Sequence, residues 1–247
     1  KVKNVNISIL QKGLLKCKKK EYIEAFIKDI EGFSYDQLYQ DLLESNSGST
    51  LVSFYDLVDG LDKSKIEDIA IKINDLDSLI GFLDEEEFNF KRFHEAIINS
   101  TYPEALLIMA SLYSSKGVDF KRIEDRLLEL KDIHSIITYT SMEYADKERI
   151  SNAILEMNDP SSWVSFAMNV EGINVKKIED RLLELKNFEE IIRFARYVEN
   201  ANIVVFTDSN VSPLVEYADC VLIAQSDMAS FMDSLVAPLS IINAIII

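Results

Sequence analysis

Turn-forming residues are scarce in this chain, which has seven glycines and four prolines in 247 residues. Such a composition leaves few turns and long regular segments, so a mostly helical protein is expected. Two cysteines, Cys17 and Cys220, are too few for a disulfide framework and suggest a reducing compartment. No apolar run is long enough to cross a bilayer: the longest, residues 236–247, is interrupted by Pro238 and Asn243. Basic residues are also in deficit, 26 Lys and Arg against 42 Asp and Glu, for a net charge of −16. That sign repels phosphate backbones and argues against a nucleic-acid partner. The chain opens on Lys1 rather than Met, as expected of a trimmed sequence, and shows no secretory leader pattern. A cytoplasmic location and no membrane partner follow as expectations. What is present is a 48% apolar fraction, which excludes wholesale disorder and supports a substantial core.

The apolar residues repeat. The nonapeptide IEDRLLELK occurs at residues 123–131 and again at 178–186, with a weaker copy between. An apolar residue followed four and five positions later by two more recurs seven times. Its copies are Leu10/Leu14/Leu15, Leu38/Leu42/Leu43, Ile66/Ala70/Ile71, Phe93/Ile97/Ile98, Ile123/Leu127/Leu128, Ile150/Ile154/Leu155 and Ile178/Leu182/Leu183. First members are 28, 28, 27, 30, 27 and 28 residues apart. This spacing lays the three side chains along one helical stripe. Four residues before each stripe stands Asn6, Ser34, Asp62, Asn89, Asp119, Asp146 or Asn174, all residues that cap helix N-termini. Each repeat therefore begins with a helix, termed helix A.

A second helix, helix B, follows in each repeat around Phe26, Phe54, Phe82, Ile108, Tyr139, Phe166 and Phe194. Three positions earlier lie Ile23, Leu51, Leu79, Ala105, Ile136, Trp163 and Ile191, on the same face. Asp159-Pro160 reads as an N-cap followed by proline in the first helical position. Two-helix units at this period stack into an α-solenoid, each burying its apolar face on its neighbours. The fold class expected is mainly α: about seven two-helix repeats over residues 1–201, with a small two-strand α/β segment over 202–247. Stretches such as NDPSSWVSFAMNVEGINVKKIEDRLLELKNFEEIIRFARYVENANI resemble degenerate helical-repeat proteins of viruses, phages and bacteria. That resemblance implies the solenoid and brings no site residue with it.

Asn202 still falls in the N-cap phase of an eighth repeat, and there the pattern stops. Residues 203–207 and 220–224 are short, apolar and β-branched, as in strands buried on both faces. Residues 212–218 between them read as a short helix, and the periodicity of residues 230–247 is helical again. The words VVFTDSNVSPLVEYADCVLIA and SFMDSLVAPLSIINAI resemble the end of the sugar-isomerase (SIS) domain of RpiR-type transcriptional regulators. The resemblance implies part of a doubly wound α/β domain that binds phosphosugars. It covers about 45 residues, and the family's Ser/Thr-rich phosphate loop belongs to the earlier portion of that domain. No glycine follows Gly172 to form a phosphate cradle here. The segment is expected to be a cap or a fusion remnant, packed on helix B of the seventh repeat around Ile191, Phe194 and Val198, or else to pair two copies into a homodimer.

Few residues suggest chemistry. Thr207, Asp208 and Ser209 follow a predicted strand, where open α/β sheets place ligands, and form the one candidate ligand site. His94 lies one position after a first stripe member, a slot also holding Gln11, Tyr39, Glu67, Glu124, Ser151 and Glu179. That slot is expected to face solvent. His134 has no metal-ligand spacing to any Cys. Cys17 sits among Lys16, Lys18, Lys19 and Lys20, where a depressed pKa could activate it, but an inert thiol is expected. The acidic run 84–87 lacks the spacing and glycine of a calcium loop. No catalytic residue, metal site or cofactor is expected. The expected function is a non-enzymatic scaffold or protein-interaction module whose acidity favours a basic protein or peptide partner. The alternative is a sugar-phosphate-sensing regulator built on the SIS-like end.

Overall fold

A helix start leaves four amides without partners, and a short oxygen-bearing side chain just before it can accept from one of them. The computed structural model of the chain, described over residues 6–86, 88–198, 203–207 and 209–223, places all seven expected cap residues at the N-cap of a helix A. Asn6 accepts from the Ile9 amide, Ser34 from Gln37, Asp62 from Ser64 and Lys65, Asp119 from Arg122, and Asp146 from Arg149. Asn89 and Asn174 hold the position without such a bond.

Fourteen α-helices are present among the described residues. The first repeat comprises α1 (Ile7–Leu14) and α2 (Lys20–Asp29), the second α3 (Tyr35–Ser45) and α4 (Gly48–Leu57), the third α5 (Lys63–Ile73) and α6 (Leu76–Ile80). The fourth has α7 (Phe90–Ile98) and α8 (Pro103–Leu112), and the fifth α9 (Phe120–Leu130) and α10 (Ile133–Thr140). The sixth has α11 (Lys147–Glu156) and α12 (Pro160–Asn169), and the seventh α13 (Val175–Leu185) and α14 (Phe188–Tyr197). Pro160 starts α12 after its cap Asp159, as expected.

The few glycines go where the backbone needs them. Gly32, Gly60, Gly117 and Gly172 all have positive φ, each two residues before a helix A cap. Only a residue without Cβ adopts that conformation without strain. Inside the repeats, Asn46, Asn74, Lys131 and Lys186 end helix A in the left-handed region. Lys131 and Lys186 are the last residues of the two identical nonapeptides.

The chain divides into two compact units, Lys1–Ala145 and Asp146–Ile247. In the first, helix A packs on the next helix A (α1 on α3, α3 on α5, α7 on α9) and helix B on the next helix B (α4 on α6, α6 on α8, α8 on α10). This is the neighbour-to-neighbour stacking that two-helix repeats require. In the second unit α12 and α13 both pack on α14. From the second repeat onward the first and second stripe members are buried: Leu38, Leu42, Ile66, Ala70, Phe93, Ile97, Ile123, Leu127, Ile150, Ile154, Ile178 and Leu182. Leu10, heading the first repeat, remains 46% exposed. Of the helix B residues, Phe54, Phe82, Tyr139, Phe166 and Phe194 are buried and Phe26 is half-buried.

Two expectations are corrected here. In the fourth repeat Met109, not Ile108, occupies the buried central place of helix B, with Leu106 before it. Met109 and Leu106 stand 16 and 13 residues after Phe93, the same offsets that the helix B residues keep in the other six repeats, whereas Ile108 and Ala105 fall one position short. More consequentially, the slot after the first stripe member does not face solvent. Gln11, Tyr39, Glu67, His94, Glu124 and Ser151 are all buried, and only Glu179 is half-exposed. In four of them the buried side chain hydrogen-bonds the next repeat's cap. Gln11 Oε1 accepts from the Ser34 amide at 3.3 Å, Tyr39 Oη from Asp62 at 2.7 Å, Glu67 Oε1 from Asn89 at 2.6 Å, and His94 Nε2 from Asp119 at 3.2 Å. The N-cap amide lies outside the helix's own ladder, so a buried neighbour must supply its acceptor.

After α14, strand β1 (Val204–Thr207) and strand β2 (Cys220–Ile223) pair in parallel, with Val204 opposite Cys220 and Thr207 opposite Ile223. The expected helix between them is a single 3-10 turn at Pro213–Tyr217. The strands are not buried on both faces: Val205 is buried, but Val204 and Ile223 are exposed. A sheet of two strands is too narrow to be enclosed on both sides. Arg196 of α14 donates to the Tyr217 carbonyl at 3.2 Å and to Asp219 at 3.0 Å, while Asp219 accepts the Ile203 amide at 2.9 Å. The segment is thus tied to α14 through a polar clamp beside buried Phe194. The expectations for Asn202, Ala224 and a closing helix over 230–247 lie outside the described residues.

Candidate functional site

The helix A faces of the first unit carry a row of clefts. Leu43 and Tyr39 of α3 with Lys65 and Lys72 of α5 line one of about 440 Å³. Ile71 and Asn74, at the end of α5, with Lys91, Arg92, Ala96 and Asn99 of the next repeat line another of about 650 Å³. Ile98 and Asn99 with Arg122 and Arg126 of α9 line a third of about 270 Å³. The third stripe members, Leu43, Ile71 and Ile98, lie in successive clefts, so the clefts share the pitch of the repeat. Another cleft, of about 590 Å³, lies between the turn after α1 (Lys16, Cys17, Lys18) and α4 (Ser49, Thr50, Ser53).

Charges on this face are paired across repeats. Lys12 reaches Glu44 at 2.7 Å, Lys65 reaches Asp36 at 2.7 Å, and Arg92 reaches Glu67 at 2.6 Å and Asp68 at 2.5 Å. Arg122 grips both oxygens of Glu95, at 2.6 and 2.9 Å. Its guanidinium holds the Glu95 carboxyl below the usual range, and Asp68 and Glu67 push Arg92 up. Apart from Arg92 on buried Glu67, these pairs are exposed and contribute at most about 1 kcal/mol each. Their geometry fixes the register of one helix A on the next. By contrast, α4, α6, α8, α10 and α12 contain no Lys or Arg at all. Part of the acid excess has a folding role, since Asp62, Asp75, Asp119, Asp132, Asp146 and Asp159 are all N-caps. There the carboxylate meets the positive end of the helix dipole.

The sequence-derived ligand site is partly described. Thr207, the last residue of β1, donates through Oγ1 to the Ser209 carbonyl at 3.2 Å and accepts the Ser209 amide at 3.3 Å. Ser209 Oγ in turn accepts the Val211 amide at 3.2 Å. These bonds shape a tight turn at the C-terminal end of the strand; Asp208 lies outside the described residues. Cys17 is half-buried, and its thiol lies 3.7 Å from the Lys19 carbonyl. His94 and His134 stand apart, one buried on α7 and the other exposed on α10. Asp84 accepts the Tyr113 hydroxyl at 2.8 Å, and Glu87 lies outside the described residues. Among the described residues no three His, Cys, Asp or Glu side chains gather as a metal set.

What sequence reasoning missed is the joint between repeats. A signal was present: the residue before the first stripe member is Lys65, Arg92, Arg122, Arg149 or Lys177 in five repeats. An acid stands two positions after that member at Asp68, Glu95, Asp125 and Asp180. Periodic base and acid on one face imply pairing between neighbours, and Arg92–Asp68 and Arg122–Glu95 are such pairs.

The SIS domain family profile matches residues 189–247. The match reaches back into α14, so one helix is helix B of the seventh repeat and also the first element of the SIS-like segment. No curated protein and no solved structure matches the chain. Residues 189–247 are therefore similar to an SIS domain, and the match overlaps the last helix of the repeats.

Proposed function

We propose that the chain is a non-enzymatic protein-interaction module of the cytoplasm that receives its partner on the helix A face of Lys1–Ala145. The observation supporting this is the row of clefts between successive A helices, repeating with the helices themselves. A surface with a regular pitch suits an extended or helical segment of another protein. The partner is basic, because a net charge of −16 steers a cationic segment toward the chain. The test is capture of a partner by the immobilised chain from extracts of its source, repeated with Gln40→Lys and Glu129→Lys, both exposed cleft residues whose added positive charge repels a cationic segment. Loss of the captured protein in the double variant supports the reading; undiminished capture refutes it.

The SIS match favours a second reading, a sugar-phosphate sensor. Thr207 and Ser209 stand at the end of a parallel strand, where ligands of open α/β sheets bind. A hexose 6-phosphate should then raise the melting temperature, and Thr207→Val should abolish the rise. No shift at millimolar hexose 6-phosphate refutes this second reading.

A further inference from the structure

Each of four joints between consecutive repeats is closed by one buried side chain that accepts the cap amide of the next repeat: Gln11, Tyr39, Glu67 and His94. Three of these side chains keep their acceptor through the neutral range. Histidine is the side chain whose charge changes between pH 5 and 8. We propose that His94 makes the joint between the fourth and fifth repeats open on mild acidification, because its imidazole closes that joint only when neutral.

The geometry requires the neutral ring. Nε2 accepts the Asp119 amide at 3.2 Å, so the ring proton sits on Nδ1, which faces Glu95 Oε1 at 3.8 Å. A second proton would set an N–H against the Asp119 N–H and leave that amide without an acceptor. The surroundings decide which way the balance falls. The ring is 6% exposed, with the Phe90 ring centre 6.3 Å away on the same helix. Glu95 on its own helix and Asp119 at the start of α9 favour the charged form, while Arg122 of α9 opposes it. Arg122 already holds Glu95 in a two-pronged bond, which reduces what Glu95 offers the imidazole. Lys116 lies over Phe90, 5.5 Å from its centroid, adding positive charge beyond that ring. Burial is the largest influence and puts the His94 pKa below its ordinary 6.5. Above pH 6.5 both closed and open forms are neutral and the joint keeps its full strength. As pH falls below that, the open form takes the proton first, and closure weakens until the closed-state pKa is passed. Each unit of depression appears as a tenfold shift in the opening equilibrium.

The built-in control is Gln11, an amide doing the same work at the first joint, where Nε2 also donates to the Ser34 carbonyl at 2.6 Å. The experiment compares the full chain with His94→Gln in urea unfolding from pH 7.5 to 5.0, and follows both histidines of the wild type by NMR titration. The expected result is a wild-type midpoint that falls relative to the variant below pH 6.5, with His94 titrating below the ordinary 6.5. Parallel pH profiles for the two proteins, or His94 titrating at or above 6.5, would overturn the proposal. If His94→Gln does not fold, the wild-type titration alone decides, because the chain has only two histidines.

Discussion

Gly48→Ala separates local helix propensity from tertiary packing, because the two predict opposite signs. Gly48 is the first residue of α4, and its backbone has no positive φ. On propensity, alanine in a helix is better than glycine by up to about 1 kcal/mol. The structure says otherwise. The Gly48 amide donates to Asp75 Oδ2 at 2.7 Å, and Asp75 Oδ1 accepts the Ser78 amide at 2.8 Å. Asp75 and Ser78 form the capping box of α6. A Cβ on Gly48 would collide with the Asp75 carboxylate and the Ser78 backbone, so the start of α6 has to move away from α4. A hydrogen bond to a charged group contributes about 1.5–3 kcal/mol, and an N-cap about 1 kcal/mol. Against the propensity gain, the net loss should be about 2–3 kcal/mol. The matched control is Gly13→Ala in α1, where a Cβ meets nothing within 4 Å and a gain of about 0.5–1 kcal/mol is expected. Urea denaturation of both variants under one condition measures the difference. A Gly48→Ala protein as stable as wild type would refute the close approach of α4 and α6 as the reason for this glycine.

The buried joints give a second contrast. Glu67→Ala removes the acceptor of the Asn89 amide and of Arg92, and should cost about 2–4 kcal/mol, whereas half-exposed Glu179→Ala in the same slot should cost under about 0.5 kcal/mol. Equal losses in chemical denaturation would contradict the assignment. Phe166→Ala empties a fully buried ring position in α12 and should cost about 3–5 kcal/mol, read from the same curves. The Tyr113 phenol, pushed up to about 12 by burial and then by its bond to Asp84, should stay un-ionised in ultraviolet titration well past pH 10. Being raised, it stabilises the fold at lower pH and loses that contribution as pH climbs through its folded value, a loss that Tyr113→Phe should lack.

Helix number, helix starts and the stripe residues were legible in the sequence, because they depend on short-range chemistry. An Asp four residues before an apolar stripe finds its acceptor role within its own first turn, and Asp62, Asp119 and Asp146 do so. The two strands were legible for a similar reason, from the runs at Val204–Thr207 and Cys220–Ile223. The direction of the slot holding Glu67 and His94 was not. It lies at the boundary between the stripe and the solvent face, and helical periodicity alone leaves its burial undecided. Only the next repeat, placing a cap amide within hydrogen-bond reach, makes burial of a polar side chain favourable there. Gly48 is a like case, since its sequence context says helix start and only the proximity of α6 forbids a larger residue. The candidate site divides in the same way: Thr207 and Ser209 were found from their place after a strand, while the clefts along helix A exist only between neighbours. The sequence by itself determined which segments are helices and that the apolar stripe of each helix A enters the core, since both follow from patterns within about one helical turn. Tertiary structure decided what closes each joint, which charges pair and where clefts open, since each of these needs groups 22 or more residues apart to meet.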